Sequence, residues 1–323
     1  TATSLFDGHD AAINIMRRII QATGAEVIHL GHNRSVVDIV DAAIQEDVQA
    51  VAVSCYQGGH IEFFKYIVDL LKERGAERIK VFGGGGGVIV QDEIRELEAY
   101  GVAKIYSPGD GARMGRQGRI NHLVESIDYP MVTEKTDFDL GDLKPQDKGR
   151  VARLITAVES AKAREDGHLE GLRAELERKL AEGGAPVLGI TGTGGAGKSS
   201  LTDELILRFL LDIKDATVAV LSVDPSRRRT GGALLGDRIR MQSHFLDPGV
   251  FIRSLSTRGS HGGLARAGRD VARLFDAFGK DFVIIETVGV GQTELDIMEG
   301  ADTVVVVLVP EAGDTVQVMK AGL

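Results

Sequence analysis

A chain of 323 residues exceeds what most single hydrophobic cores hold, so two folded domains are expected. Its formal net charge of −9 argues against a phosphate-neutralising surface, so no nucleic-acid partner is expected; its single cysteine, Cys55, excludes an internal disulfide framework and fits a small buried hydrophobe in a reducing compartment. The longest apolar run, Val304 to Val309, is far short of a membrane span, and the N-terminus lacks a signal-peptide plan, so the expectation is a cytoplasmic protein with no membrane association. Thr1 already lies inside a strand-like pattern and Leu323 follows the start of a helical one, so the chain is expected to be a piece of a longer protein.

In residues 1–130, apolar runs at 2–6, 26–30, 50–54, 78–82 and 103–106 read as strands, and amphipathic stretches between them read as helices. Strands alternating with helices imply βαβ units and a parallel sheet, and five of them fit the flavodoxin-like order 2-1-3-4-5. In that order a ligand binds beyond the carboxyl ends of the strands, near the switch point between the first and third. The unusual residues of this region lie at those ends: Asp7-Gly8-His9 after the first strand, Ser54 closing the third, and Gly83 to Gly87 after the fourth. Asp7, two residues before His9, can hold one imidazole nitrogen while the other faces a ligand, which suits a metal ligand or an acid–base group; a pair of plain loop residues is the alternative. Five successive glycines leave backbone bare where a bulky ligand can lie against it. A dinucleotide fingerprint does not fit, because Val88 stands where a pattern begun at Gly83 needs its last glycine.

Phe6-Asp7-Gly8-His9-Asp10, Ser54 with Tyr56, and the glycines after the fourth strand resemble the cobalamin-binding domain of adenosylcobalamin-dependent acyl-CoA mutases. The resemblance implies that His9 ligates cobalt, Asp7 orients it, Ser54 contacts the displaced nucleotide tail, and Gly84 and Gly85 line its slot. Two positions depart from the family pattern: Ala12 replaces a glycine and Tyr56 a leucine, both near the expected tail. His29, His32 and His60 also fall near strand ends and read as surface or lining residues.

Residues 131–184 read as a linker with helices. Val151, Leu154, Ile155 and Val158 form one apolar stripe and Leu172, Leu176 and Leu180 another. Such a pair either packs on a neighbouring domain or subunit, or stands as a solvated spacer held by charge pairs.

In residues 185–323, a short apolar run at 186–191 leads into Gly192-Thr-Gly-Gly-Ala-Gly197-Lys198-Ser199, followed by apolar residues at helical spacing. Strand, glycine loop and helix in that order form a P-loop: Gly192, Gly194, Gly195 and Gly197 let backbone N–H groups turn toward phosphates, Lys198 reaches the terminal phosphates, Ser199 ligates Mg²⁺, and Ser200 continues the phosphate-side turn. Strands at 216–223 and 281–286 each deliver a carboxylate to a carboxyl end, Asp224 and Glu286, placed to hold Mg²⁺ through water or to orient an attacking water. Gly289 lets the backbone approach a γ-phosphate, and residues 290–294 then form a nucleotide-sensing segment. Residues 226–241, with three arginines and paired glycines, read as a switch-like loop whose arginines are either a solvated face or a source of transition-state charge.

Asp224-Pro-Ser, Thr230-Gly-Gly, Leu235-Gly-Asp237, Arg240-Met241, Thr257-Arg-Gly259 and Glu286-Thr-Val-Gly-Val-Gly-Gln292 together resemble the GTPases that accompany methylmalonyl-CoA mutase. That resemblance implies magnesium-side carboxylates at Asp224 and Asp237, a Walker B-like element at Glu286 and Gly289, and a partner-responsive switch at 292–296. The guanine-reading Asn-Lys-x-Asp pattern is not among these residues, so GTP as substrate and GDP as product rest on the resemblance. A cobalamin domain followed by this GTPase resembles the N-terminal part of the fused isobutyryl-CoA mutase family. It implies an adenosylcobalamin-dependent carbon-skeleton isomerase, an acyl-CoA bound by a barrel domain outside this chain, a cofactor-loading adenosyltransferase as partner, a homodimer, and a GTPase that gates cofactor loading. Two alternatives are a cobalamin-trafficking or metallochaperone GTPase without isomerase activity, and a signalling NTPase with a receiver-like first domain; against the receiver, no acidic cluster follows the first strand beyond Asp7 and Asp10.

Overall fold

The computed structural model describes residues 1–9, 11–133, 140–141, 143–144, 147–160, 167–180, 184–224, 226, 230–235, 237–256, 261–287 and 300–309. In chain order the first elements are β1 (Ala2–Thr3), α1 (Ala11–Ala22), β2 (Val27–Ile28), α2 (Val36–Gln45), β3 (Ala50–Ser54), α3 (His60–Glu73), β4 (Lys80–Gly84), α4 (Gln91–Tyr100), β5 (Lys104–Tyr106) and α5 (Pro108–Ser126). There follow α6 (Lys148–Glu159), α7 (His168–Leu180), β6 (Val187–Gly192), α8 (Lys198–Asp212), β7 (Val218–Asp224), β8 (Leu234–Leu235), a 3-10 helix (Asp237–His244), β9 (Val250–Ser256), α9 (His261–Ala277), β10 (Phe282–Thr287) and β11 (Thr303–Val307). They form two compact units, Thr1–Pro130 with Arg229–Ile239, and Met131–Arg228 with Arg240–Leu323.

The first unit is built on a parallel sheet in the order β1-β3-β4-β5. The chain around β2 runs beside β1 through Leu30 N–H to Thr1 O (2.9 Å), Thr3 N–H to Gly31 O (3.0 Å) and a parallel bridge between Ser4 and Arg34. The order is therefore the expected 2-1-3-4-5. Only Val27–Ile28 of the expected second strand is regular, and its partner is β8, in parallel register Val27↔Leu234 and Ile28↔Leu235. Helix starts follow local chemistry. Ser35 accepts from the Asp38 N–H and opens α2, while Ser107 and Asp110 form a reciprocal capping box ahead of Pro108 in α5.

The second unit has a five-stranded parallel sheet in the order β11-β6-β10-β7-β9. All seven residues of β7 and of β9 are buried. Of the two stripes on α6 and α7, Val151, Leu154, Ile155, Val158, Leu172 and Leu176 are buried in one cluster with Phe251 of β9 and Phe275 of α9, while the side chain of Leu180 lies outside the described residues. The connector helices thus cover a face of this sheet. Strands β8, β9 and β11 are not among those expected from the sequence. Among the described residues no helix is long and apolar enough to cross a membrane.

Candidate functional sites

In the first unit, β1 ends in a tight turn, with the Asp7 N–H donating to Ser4 O (3.1 Å). Phe6 stands in this turn at φ 61°, an unusual conformation for a bulky residue, with its N–H donating to Asn33 Oδ1 (2.7 Å). The Asp7 carboxylate beyond it is buried. Its Oδ1 accepts from the His9 N–H (2.9 Å) and meets His9 Nδ1 (2.8 Å); its Oδ2 accepts from the Tyr56 N–H at the end of β3 (2.6 Å). Burial pushes the Asp7 carboxyl up, but the hydrogen bonds from Tyr56 and His9 outweigh it and hold it below the ordinary aspartate value. An ionised Asp7 accepts the Nδ1 proton, which leaves the lone pair on Nε2 of a ring whose side chain is 69% exposed. This is the donor set a metal-bound imidazole needs: one nitrogen fixed by a carboxylate, the other available.

Ser54, buried at the end of β3, pairs in register with Gly84. A Cβ on Gly85 would lie 1.9 Å from the Cys55 carbonyl oxygen, whereas one on Gly84 would make an ordinary 3.5 Å contact with Tyr106 O. Gly85 therefore allows the ends of β3 and β4 to close, and Gly84 leaves bare backbone beside the β5 end. His60, read from sequence as a surface or lining residue, is instead buried, with Nδ1 at 3.2 Å from Gln57 O and Nε2 at 3.0 Å from Glu93 Oε2. It ties the starts of α3 and α4 together behind the two loops. Its one sequence signal was its place in the first turn of a helix after a strand end.

In the second unit the glycine loop runs from β6 into α8. Gly195 and Gly197 take φ of +79° and +91°, and a Cβ at Gly194, Gly195 or Gly197 would meet nothing within 4 Å, so their backbone is uncrowded. Lys198 Nζ donates to Gly192 O (2.8 Å) and Thr193 O (2.9 Å), and so lies along the loop. Ser199 Oγ donates to Glu286 Oε1 at the end of β10 (2.5 Å) and accepts from Arg240 Nη1 (2.9 Å). Asp224 is buried at the end of β7, the strand paired with β10, and Ser200 is exposed in the first turn of α8. Ser199 and Glu286 are thus joined beside the loop along which Lys198 lies. Arg240, which enters the sequence pattern without a role, joins them. Gly289, the switch at 292–296 and the arginines at 227–229 lie outside the described residues, as does the side chain of Asp237, whose backbone opens the 3-10 helix.

An open glycine loop between an interior parallel strand and a helix, with a hydroxyl and a carboxylate joined beside it, defines a P-loop nucleotide-binding unit. Residues 151–323 match the family model described as "Methylmalonyl Co-A mutase-associated GTPase MeaB", more than half of the chain, and the chain belongs to that family. Residues 1–115 match the model of the B12 binding domain. The chain is 57% identical over 322 residues to the fused isobutyryl-CoA mutase of Geobacillus kaustophilus, covering 99% of this chain and 30% of that protein. It is 54% identical over 321 residues to the fused isobutyryl-CoA mutase of Cupriavidus metallidurans, covering 99% and 29%. The chain thus spans about 30% of the length of these relatives. A solved structure of a LAO/AO transport system kinase is 28% identical, with a TM-score of 0.38 over 55% of this chain and 51% of its own.

Proposed function

We propose that the chain is the cofactor- and nucleotide-handling part of an adenosylcobalamin-dependent acyl-CoA mutase, of the isobutyryl-CoA to n-butyryl-CoA type, in which GTP hydrolysis gates cofactor loading. The observation that carries the reading is His9. Its ring is fixed through Nδ1 by a buried carboxylate and exposed elsewhere, at the strand end where this sheet order places a ligand. The match of residues 1–115 to the B12 binding domain and the similarity to fused isobutyryl-CoA mutases support it. In this reading residues 1–130 form the cobalamin domain, 131–184 a helical connector and 185–323 the GTPase domain.

His9 would hold cobalt, Asp7 would orient the imidazole and raise its basicity, Ser54 would contact the tail, and Gly84 and Gly85 would leave its slot. Adenosylcobalamin, when bound, supplies homolysis of its cobalt–carbon bond. In the GTPase, the backbone from Gly192 to Gly197 and Lys198 hold phosphates, with Ser200 beside them. Ser199, Asp224, Asp237 and Glu286 serve Mg²⁺, and Lys198, Asp224 and Glu286 stabilise charge or orient water during hydrolysis. Gly289 approaches the γ-phosphate. The acyl-CoA binds a barrel domain of the longer protein, a cytoplasmic homodimer loaded by an adenosyltransferase.

Phosphate release from GTP and the visible spectrum of added cobalamin, both read on one preparation, test the pairing of activities. Lys198→Ala should abolish hydrolysis and leave cobalamin binding unchanged. Retained hydrolysis would overturn the P-loop assignment, and absence of cobalamin binding by the parent chain would overturn the first half of the reading.

A further inference from the structure

Tyr56, two residues beyond the end of β3, stands where the family pattern has leucine, and it joins the loops after three strands of the first unit. Its N–H donates to Asp7 Oδ2 (2.6 Å), on the carboxylate whose other oxygen meets His9 Nδ1 (2.8 Å). Its ring lies against the His9 imidazole, with centroids 5.5 Å apart and planes inclined at 42°. The same ring lies against Gly86, in the loop after β4: a Cβ there would come within 2.8 Å of Cε1, 3.6 Å of Cδ1 and 3.7 Å of Cζ. Gly86 takes φ of +57°, so the residue that leaves the ring its room also holds a conformation that glycine adopts freely. From the end of β3, Tyr56 thus reaches the loops that follow β1 and β4.

The hydrogen bond from Nδ1 to Asp7 decides which imidazole nitrogen faces outward, but it grips the ring by one edge. Tilt about that edge is set by what touches the body of the ring. Tyr56 touches it, and is itself half-buried beside an imidazole whose side chain is 69% exposed. Aromatic rings in contact prefer particular tilts, and a ligating nitrogen is useful only in the direction in which its lone pair points. We infer that Tyr56 is a positioning residue for His9: Asp7 selects the nitrogen, and the Tyr56 ring sets the plane in which that nitrogen is presented. The contact with Gly86 is made by ring carbons, so the ring and not the hydroxyl carries the role. The inference rests on the proposed reading that His9 ligates cobalt.

The test uses the full chain with cobalt(II) cobalamin and with cobalt(II) cobinamide, a corrinoid that lacks the nucleotide tail. Paramagnetic resonance with the protein imidazole nitrogen labelled reads the cobalt–nitrogen coupling and its orientation. Tyr56→Ala should weaken binding of both corrinoids by about five-fold and broaden the spread of orientations, and Tyr56→Phe should behave as the parent. Parental coupling and orientation in Tyr56→Ala would overturn the inference and leave ligation by His9 intact. An effect seen with cobalamin but not with cobinamide would also overturn it, because the ring would then act on the tail. Equal loss in Tyr56→Phe would give the role to the hydroxyl and overturn it too. A parent with no protein nitrogen on cobalt would overturn the ligation reading, and this inference with it. Should Tyr56→Ala fail to fold, the unmodified chain with diamagnetic cobalt(III) cobalamin decides: proton contacts between the His9 and Tyr56 rings should persist in the complex, and their absence would overturn the inference.

Discussion

Asp7 and His9 illustrate how two residues divide one task. The carboxylate is buried and committed to three donors, so it cannot drift; the imidazole takes its orientation from it and keeps one nitrogen for a ligand. Adjacent glycines divide labour in a similar way. Gly85→Ala would drive a methyl group into the Cys55 carbonyl, and the strand ends must separate to admit it, at about 1–3 kcal/mol of stability. Gly84→Ala meets only ordinary van der Waals distance and should leave the melting temperature of the chain nearly unchanged. If Gly84 lines the tail slot, however, the same methyl should weaken cobalamin binding. Melting curves and cobalamin titrations on the two variants separate the effects; a destabilised Gly84→Ala, or one with parental cobalamin affinity, would count against the slot.

At the scale of elements, the start of α5 carries a prediction with a pH signature. Burial pushes the Asp110 carboxyl up, but the Ser107 N–H and hydroxyl and the Arg113 guanidinium more than offset it, and the group titrates at about 2 instead of 3.8. Because the folded value is depressed, the stabilisation is complete above the unfolded value and is lost as pH falls through the window from roughly 4 toward 2. Asp110→Asn should therefore flatten the acid side of the stability profile of the first unit in that window. Ser107→Ala should cost about 1 kcal/mol near neutral pH. Denaturant unfolding from pH 2 to 7 checks both, and an unchanged acid limb in Asp110→Asn would contradict the capping role.

The P-loop, the βαβ rhythm of the first unit and the strand-end carboxylates were legible because each is a local pattern with a fixed spacing. β9 was not. Its residues Val250–Ser256 are all buried, so they show no alternation, and Arg253 in their midst reads as exposed until its ion pair with Glu159 (2.9 Å) explains it. The two-residue β8 has no local signal at all; pairing with β2, a partner about 200 residues earlier in the chain, creates it. The stripes on α6 and α7 were visible, but only packing against Phe251 and Phe275 decides between a cover for the sheet and a solvated spacer.

For the whole molecule, one chain joins a unit of the B12-binding family to a unit of the mutase-associated GTPase family. The fused isobutyryl-CoA mutases it resembles are about three times as long as this chain. Cobalt ligation is the central claim, and it can be tested on this chain alone. The most direct measurement is the paramagnetic resonance spectrum of bound cobalt(II) cobalamin in the parent and in His9→Ala. With the imidazole nitrogen isotopically labelled in the protein, the parent should show coupling of cobalt to one protein nitrogen, and His9→Ala should lose it. Coupling that persists unchanged in His9→Ala, or a parent in which the only coordinated nitrogen comes from the cofactor's own base, would contradict the account.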